Sequence, residues 1–392
     1  MRIWATLGLV LTVTCSQACS ASTVATTSPA ASLRSSPTAQ TSTNPGPINE
    51  AYQPVSGCPA QPAYSGLAYG ILVSQTPAAD GTYSIAMVNA AGHVVARAAY
   101  HPREALNVSA TVPDGTPMFT PAPIRTSNSR LYYLDGDNDV HSLAPDGTTG
   151  IATRLPGDTH VRSTFAVSPD DRRIAVSVLD YSKSPPSLRL YVEDLGSGTN
   201  HVEIFSSTRL FVWPVGWHSC QLVVGVGEKP IAGDLSDPFN PYGATSYHVV
   251  DAATGNRLAT IGDASCKPTG PLDPAGTACA SGEYVSVLDW TGRATLTGLP
   301  DGGGGVWGAA VDPGGVNVAI CCSMAGLFLN IGGAMTYHED LWGWPMWIDE
   351  DHLLVSGSVS TAQPHPALRD TSGRVSVVDA SGYVFATIPG SL

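Results

Sequence analysis

The stretch FAVSPDDRRIAVS, from Phe165 to Ser177, limits what this chain can fold into more than any other. It reads as an apolar strand, a tight Ser168-Pro169-Asp170-Asp171 turn and a second strand. Pro169 presets φ for the turn, and the Asp170 carboxylate bonds the backbone ahead of it. Arg172 and Arg173 are expected in solvent, while Ile174, Val176 and Val178 alternate inward with period 2. Partial copies follow at Val215–Gly225, Pro271–Ser281 and Ala310–Cys322. A strand–turn–strand unit that returns like this is a repeat, and an all-β repeat of this length predicts a β-propeller.

A second register mark is the hairpin joining the last two strands of each unit. It is read at Met87, Ser142, Val192, Val249, Val287, Leu329 and Val377, at spacings of 55, 50, 57, 38, 42 and 48 residues. Those spacings lie near the ~40–50 residues of a four-stranded blade. Seven marks predict seven antiparallel blades over residues 63–392. Six is the alternative, because the first unit lacks a convincing innermost strand.

Ser168-Pro169-Asp170, with Asp273-Pro274-Ala275 and Asp312-Pro313-Gly314 as partial matches, resembles the turn of the TolB-like, WD40-like propeller repeats. Trp213-Pro214 and Trp344-Pro345 keep only the inner-strand Trp of that pattern, and the Gly-His…Trp-Asp signature of true WD40 repeats is missing. The resemblance covers roughly Ala63 to the end. It implies a propeller that serves as a scaffold for protein contacts or stands beside a hydrolase domain, for which no room remains here.

Composition narrows the partners. The formal charge of −13 argues against nucleic acid and against a polybasic membrane surface. With 41 Gly and 31 Pro, turns must be frequent. Residues 1–19 read as an export signal, with Arg2 ahead of the apolar run Trp4–Val13. Cleavage at a small-residue site gives a secreted protein, whereas lipidation of Cys19, or of Cys15, gives an anchored one. The favoured reading is a lipid on Cys19, because residues 20–62 form a Ser/Thr/Pro/Ala-rich stretch unable to bury enough surface to order itself. Membrane contact is then expected through the lipid only.

Of eight Cys, six remain once Cys15 and Cys19 are set aside: Cys58, Cys220, Cys266, Cys279, Cys321 and Cys322. An even number in an exported chain predicts disulfides. Cys266 and Cys279 flank the first hairpin of one blade and are the nearest non-adjacent pair, whereas Cys321 and Cys322 are expected to find different partners. Connectivity stays open.

No Gly-x-Ser-x-Gly elbow, His-Glu-x-x-His, P-loop or dinucleotide fingerprint occurs, so no catalytic residue is assigned and no cofactor or metal is expected. Asp135-Gly136-Asp137-Asn138-Asp139 loosely mimics a calcium loop, but Val140 stands where that loop needs Gly. Two strands joined by a hairpin is the preferred meaning. Trp213, Trp217, Trp307, Trp342, Trp344 and Trp347 fall on or beside innermost strands, as wedges between blades rather than a stacking platform.

Three connections are long for hairpins: Leu179–Ser187, Gly227–Ser246 and Ser358–Ser372. They bring Tyr181, Lys183, Asp237, Phe239, Tyr242, His365 and Arg369 to one rim, where a rigid scaffold presents recognition loops. The sequence thus reads as an extracytoplasmic, monomeric propeller that binds an envelope protein or a small ligand. A propeller-type hydrolase or lactonase, with its site in the central channel, and a glycan-binding lectin-like protein are the alternatives.

Overall fold

The computed structural model describes residues 52, 58, 68–74, 76–104, 123–136, 138–227, 244–263, 266–281, 284–298, 308–321, 326–357 and 365–392. The chain divides into Met1–Pro45 and Gly46–Leu392, and every described residue belongs to the second unit. Cys15 and Cys19 lie outside the described residues.

The described residues form seven antiparallel four-stranded sheets and no helix. The first contains β1 (Tyr69–Val73), β2 (Tyr83–Asn89) and β3 (Val94–Tyr100). The second is β4 (Ile124–Thr126), β5 (Leu131–Asp135), β6 (Asp139–Leu143) and β7 (Thr149–Arg154). The third is β8 (Val161–Val167), β9 (Arg173–Asp180), β10 (Ser187–Asp194) and β11 (Val202–Ser207). The fourth is β12 (Phe211–His218), β13 (Gln221–Gly227), β14 (Ser246–Val250) and β15 (Arg257–Ile261). The fifth is β16 (Lys267–Asp273), β17 (Gly276–Ser281), β18 (Tyr284–Leu288) and β19 (Ala294–Gly298). The sixth is β20 (Gly308–Val311), β21 (Val318–Cys321), β22 (Leu327–Ile331) and β23 (Ala334–His338). The seventh is β24 (Trp342–Trp347), β25 (His352–Gly357), β26 (Ala367–Asp370) and β27 (Val375–Val377).

The last strand, β28 (Tyr383–Ile388), returns to the first sheet and pairs antiparallel with β1, giving the order β28-β1-β2-β3. The innermost strand that the first unit lacks in sequence is therefore supplied from the far end of the chain. Seven blades is the count. The mark at Val377, however, is not a hairpin of the last blade. Its true outer hairpin is β26–β27, turning at Thr371-Ser372-Gly373, and Val377 ends β27. The misplaced mark lies in the same blade, so the count survives the error.

The Ser168 turn forms as its residues dictate. Ser168 Oγ accepts from the Arg172 and Arg173 N–H groups, and Asp170 Oδ1 accepts from Ser168 Oγ at 2.6 Å. Asp171, at φ 59°, sends its carboxylate to the preceding blade, accepting from Ser129 Oγ and Tyr132 Oη at 2.6 and 2.9 Å. Outer hairpins use an Asx residue in the same way. Asn89, Asp251, Asp289 and Asp370 each accept from N–H groups of their own turn.

The strand after Ser168 corrects two expectations. Ile174, Val176 and Val178 are buried, but so are Ala175, Ser177 and Leu179 on the opposite face. Each blade is sandwiched between two others, so its second strand has no wet side. Arg173 is not in open solvent either; its guanidinium carbon lies 4.7 Å from the centre of a Trp217 ring.

The core is divided into slices between consecutive blades rather than gathered at one centre. One slice joins Leu72 and Val88 to Leu354 and Ile348, another Ala310 and Leu329 to Trp347 and Val355. Blades approach closely where a side chain is missing. A Cβ on Gly270 would meet the Ala309 carbonyl oxygen at 1.7 Å, backbone against backbone, whereas one on Gly150 would meet nothing within 4 Å. Gly270→Ala is therefore expected to cost about 1–3 kcal/mol, as overpacking does. Gly150→Ala should fall within about 0.5 kcal/mol of the parent, as surface changes do. Parallel urea titrations of both variants check this.

Candidate functional site

Strands alternate in direction, so all first-to-second and third-to-fourth turns emerge on one face of the ring. All second-to-third connections and blade-to-blade links emerge on the other. The two are called here the turn face and the loop face.

On the loop face the β9–β10 connection presents an exposed Lys183, whose Nζ lies 3.4 Å from Asp180 Oδ2. Ser182 donates to Asp180 from both its hydroxyl and its N–H, which holds that carboxyl below the usual carboxylate range. Tyr181 is half-buried, and its N–H donates to the His160 carbonyl at 2.9 Å, fastening the connection to the link before β8. His365 is exposed just ahead of β26. Arg369 is placed differently from the sequence reading. The third long connection ends where β26 begins at Ala367, so Arg369 is a strand residue, with Nη1 3.5 Å from the Gly373 carbonyl near the turn face. Asp237, Phe239 and Tyr242 lie outside the described residues.

The acidic cluster is a hairpin between β5 and β6 on this same face. Asp135 Oδ1 accepts from the His101 N–H at 2.6 Å and lies 2.9 Å from His101 Nδ1, while its Oδ2 lies 3.9 Å from His141 Nε2. Asp139 pairs with Arg154 at 2.6 Å. Histidine and arginine engage these carboxylates; Asp137 lies outside the described residues.

The turn face carries residues 389–392 and, from the N-terminal side, the described residues Tyr52 and Cys58. After β28, the Gly390 N–H donates to the Ser127 carbonyl, Ser391 N–H to Asn128 Oδ1 and Leu392 N–H to the Trp217 carbonyl, at 2.9, 3.2 and 2.9 Å. Leu392 fits against Gly216, where a Cβ would meet its Cδ1 at 2.5 Å. Tyr52 is buried against His218, which stacks on Trp290 at 4.1 Å and places Nδ1 2.7 Å from the Leu392 carbonyl. Burial lowers the His218 pKa, and the Leu392 contact opposes that in part. Cys58 is disulfide-bonded to Cys220 at the β12–β13 turn. Residues 52 and 58, read from sequence as tether, are therefore attached to the propeller.

Beside residues 389–392 the innermost strands line a cavity of about 110 Å³, with Arg125, Ala166, Val215, Leu272, Asp273 and Phe385 in its wall. Asp273 is its odd member. Ser127, Ser168 and Asp312 each follow an innermost strand and cap their own turn, Asp312 Oδ1 accepting from the Val316 and Asn317 N–H groups at 2.7 and 2.9 Å. In the fifth blade the turn is only Pro274-Ala275, with Asp273 already paired to Gly276, so no N–H of its own turn reaches the carboxyl. Asp273 is 5% exposed and its Oδ2 has no hydrogen-bond partner among the described residues. Burial foremost, then the nearby Asp312 charge, raise its pKa well above the carboxylate range, against one bond from the Val311 N–H.

Trp213, Trp217 and Trp347 are fully buried between blades, as wedges; Trp307 and the Trp342 side chain lie outside the description. Cys266 is bonded to Cys279. Cys321 is disulfide-bonded, and Cys322 lies outside the described residues. Sequence reasoning missed the Tyr52–His218–Trp290 stack, which joins three distant segments with no local pattern. It also missed Asp273, although that copy of the turn is visibly shorter than Asp312–Asn317.

No protein-family model matches this chain, and no curated protein does. Solved structures resemble it in fold. An oligogalacturonate lyase in complex with manganese is 11% identical over 79% of this chain and 91% of its own, with a TM-score of 0.47. An oligogalacturonate lyase from Vibrio parahaemolyticus is 10% identical, over 76% and 91%, at 0.45. A chain of a mitotic checkpoint complex is 12% identical, over 74% and 82%, at 0.43. Likeness of this order carries no argument about activity, and the propeller rests on its own seven sheets.

Proposed function

We propose that this chain is an exported, lipid-tethered propeller that recognises an envelope protein, a small ligand or a glycan through its loop face. The asymmetry of the two faces carries the reading. On the turn face, turns spend their polar groups on themselves and residues 389–392 line the mouth of the cavity. On the loop face stand the longest connections, with Lys183 and His365 exposed on a rigid scaffold. Disulfides support an oxidising compartment.

Shortening residues 228–245 to a four-residue turn tests this. The expected result is at least tenfold weaker capture of the partner retained by the full chain in its own envelope, with an unchanged β-sheet circular dichroism spectrum. Unchanged capture, with loss on altering Pro313–Val316 instead, would reverse the assignment of faces.

A second reading, a hydrolase or lactonase working in the channel, draws on Asp273, whose carboxyl is biased toward the protonated form that a general acid needs. Under that reading Asp273→Asn abolishes hydrolysis of a lactone or glycan panel while leaving the fold intact; under the first it leaves capture unchanged.

A further inference from the structure

We propose that the cavity beside residues 389–392 is a binding site for a small primary amine, with Asp273 taking the ammonium group and the surrounding strands a short apolar body.

The carboxyl is the first argument. Asp273 stands in the cavity wall, is 5% exposed, and its Oδ2 has no hydrogen-bond partner among the described residues. Buried polar atoms are nearly always paired, so an exception asks for a reason. Ser168 Oγ and Asp312 Oδ1, which also follow innermost strands, cap turns of their own. The shorter fifth-blade turn leaves Asp273 without that duty. Rotation about χ2 is broad for Asp, so either carboxyl oxygen can turn to the cavity.

A second unpartnered oxygen lines the same cavity. Ser391 is 5% exposed, and its Oγ has no partner among the described residues, although its N–H donates to Asn128 Oδ1. It comes from the chain after β28, whereas Asp273 ends β16 in the fifth blade. Two such oxygens in one wall suit a group with several donors, and an ammonium carries three.

Charge selects the ammonium. Arg125 and Asp273 are the charged side chains in the wall among the described residues. The Asp312 charge acts on Asp273 from the next blade. Arg125 Nη1 donates to the Ile124 carbonyl at 2.8 Å, on its own strand. One arginine against two carboxyls leaves a single negative charge to balance, and buried charge requires a partner. A monoamine supplies that balance; a carboxylate or a diamine does not.

Shape selects the rest. Ile124, Val215, Leu272, Met346 and Phe385 present apolar side chains. They serve poorly a cluster of waters that each need about two to four polar partners. A cavity of about 150 Å³ takes benzene, so one of about 110 Å³ takes roughly four or five heavy atoms. Isobutylamine is of that size. Such a site breaks no bond and uses no loop-face residue, so it stands apart from loop-face recognition and from hydrolysis.

Isothermal titration of the full chain with isobutylamine, isobutanol and propionate tests the site, with thermal melts in parallel. The expected result is one saturable site per chain for isobutylamine at millimolar concentration, with a raised melting temperature. Isobutanol and propionate should bind about tenfold more weakly or worse, the worth of one charge-assisted hydrogen bond. Asp273→Asn should bind amine and alcohol alike, and Ser391→Ala should bind the amine roughly threefold more weakly. If Asp273→Asn does not fold, Ser391→Ala and the amine–alcohol comparison carry the result. Equal affinity of the parent for amine and alcohol would overturn the site, as would an amine preference that survives Asp273→Asn. Preference for propionate would assign the cavity to Arg125 and overturn it too. So would a crystal soaked in isobutylamine that holds only water there.

Discussion

Asp273→Asn is expected to make the propeller more stable at neutral pH, by about 1–3 kcal/mol, since each unit by which the folded pKa of the carboxyl exceeds the unfolded one costs about 1.4 kcal/mol. The sign follows from linkage. A carboxyl whose folded pKa is raised binds protons more tightly in the native than in the unfolded state. Its penalty is absent below the unfolded pKa, near 3.9, and grows as pH rises toward the folded value. Asn keeps an acceptor for the Val311 N–H and presents an amide, instead of a second negative group, to Asp312. Thermal melts at intervals from pH 4 to pH 8 check this. Parent and variant should melt close together at pH 4, and the variant should lead increasingly above it. A variant that melts lower at every pH would mean that the Asp273 charge is compensated by a partner on the chain.

Deletion of Tyr383–Leu392 is expected to abolish soluble, folded protein. It exposes the whole inner edge of β1, where Ile71, Leu72 and Val73 are at most 1% exposed. Burial of each side chain of that size contributes about 1.5–3 kcal/mol. The deletion also removes Val384 and Ile388 from two core slices and the packing of β28 against β4 and β24. Together these losses match the ~5–15 kcal/mol stability of a whole domain. The open β1 edge would also template aggregation. Expression followed by size-exclusion chromatography decides it. A monomeric, cooperatively melting truncated chain would show that the ring does not depend on β28.

Local chemistry explains which parts of this fold were legible. Ser168-Pro169-Asp170 and the Asx-Gly hairpins encode their turns within five residues, so strands and blade count could be read from them. Ring closure could not, because β28 and β1 are 310 or more residues apart and each reads as an ordinary strand. The final hairpin was hidden by a different error. Asp370-Thr371-Ser372-Gly373 carries the correct signal, but a connection read as running to Ser372 absorbed it and took Arg369 with it. Inward alternation failed at Ala175 and Ser177 because period 2 describes a sheet with one wet face, and a blade has none. Of the rim, Tyr181, Lys183 and His365 stand where topology alone puts them. Asp273 and the Tyr52 stack arise from contacts between blades, which no window of sequence contains.

Site-specific photo-cross-linking in the intact envelope tests recognition through the loop face most directly. A photoreactive residue is placed at Lys183 or His365 on that face, and at Val316, 62% exposed on the opposite one. A discrete cross-linked product is expected from Lys183 and from His365, and none from Val316. A product from Val316 alone would contradict loop-face recognition.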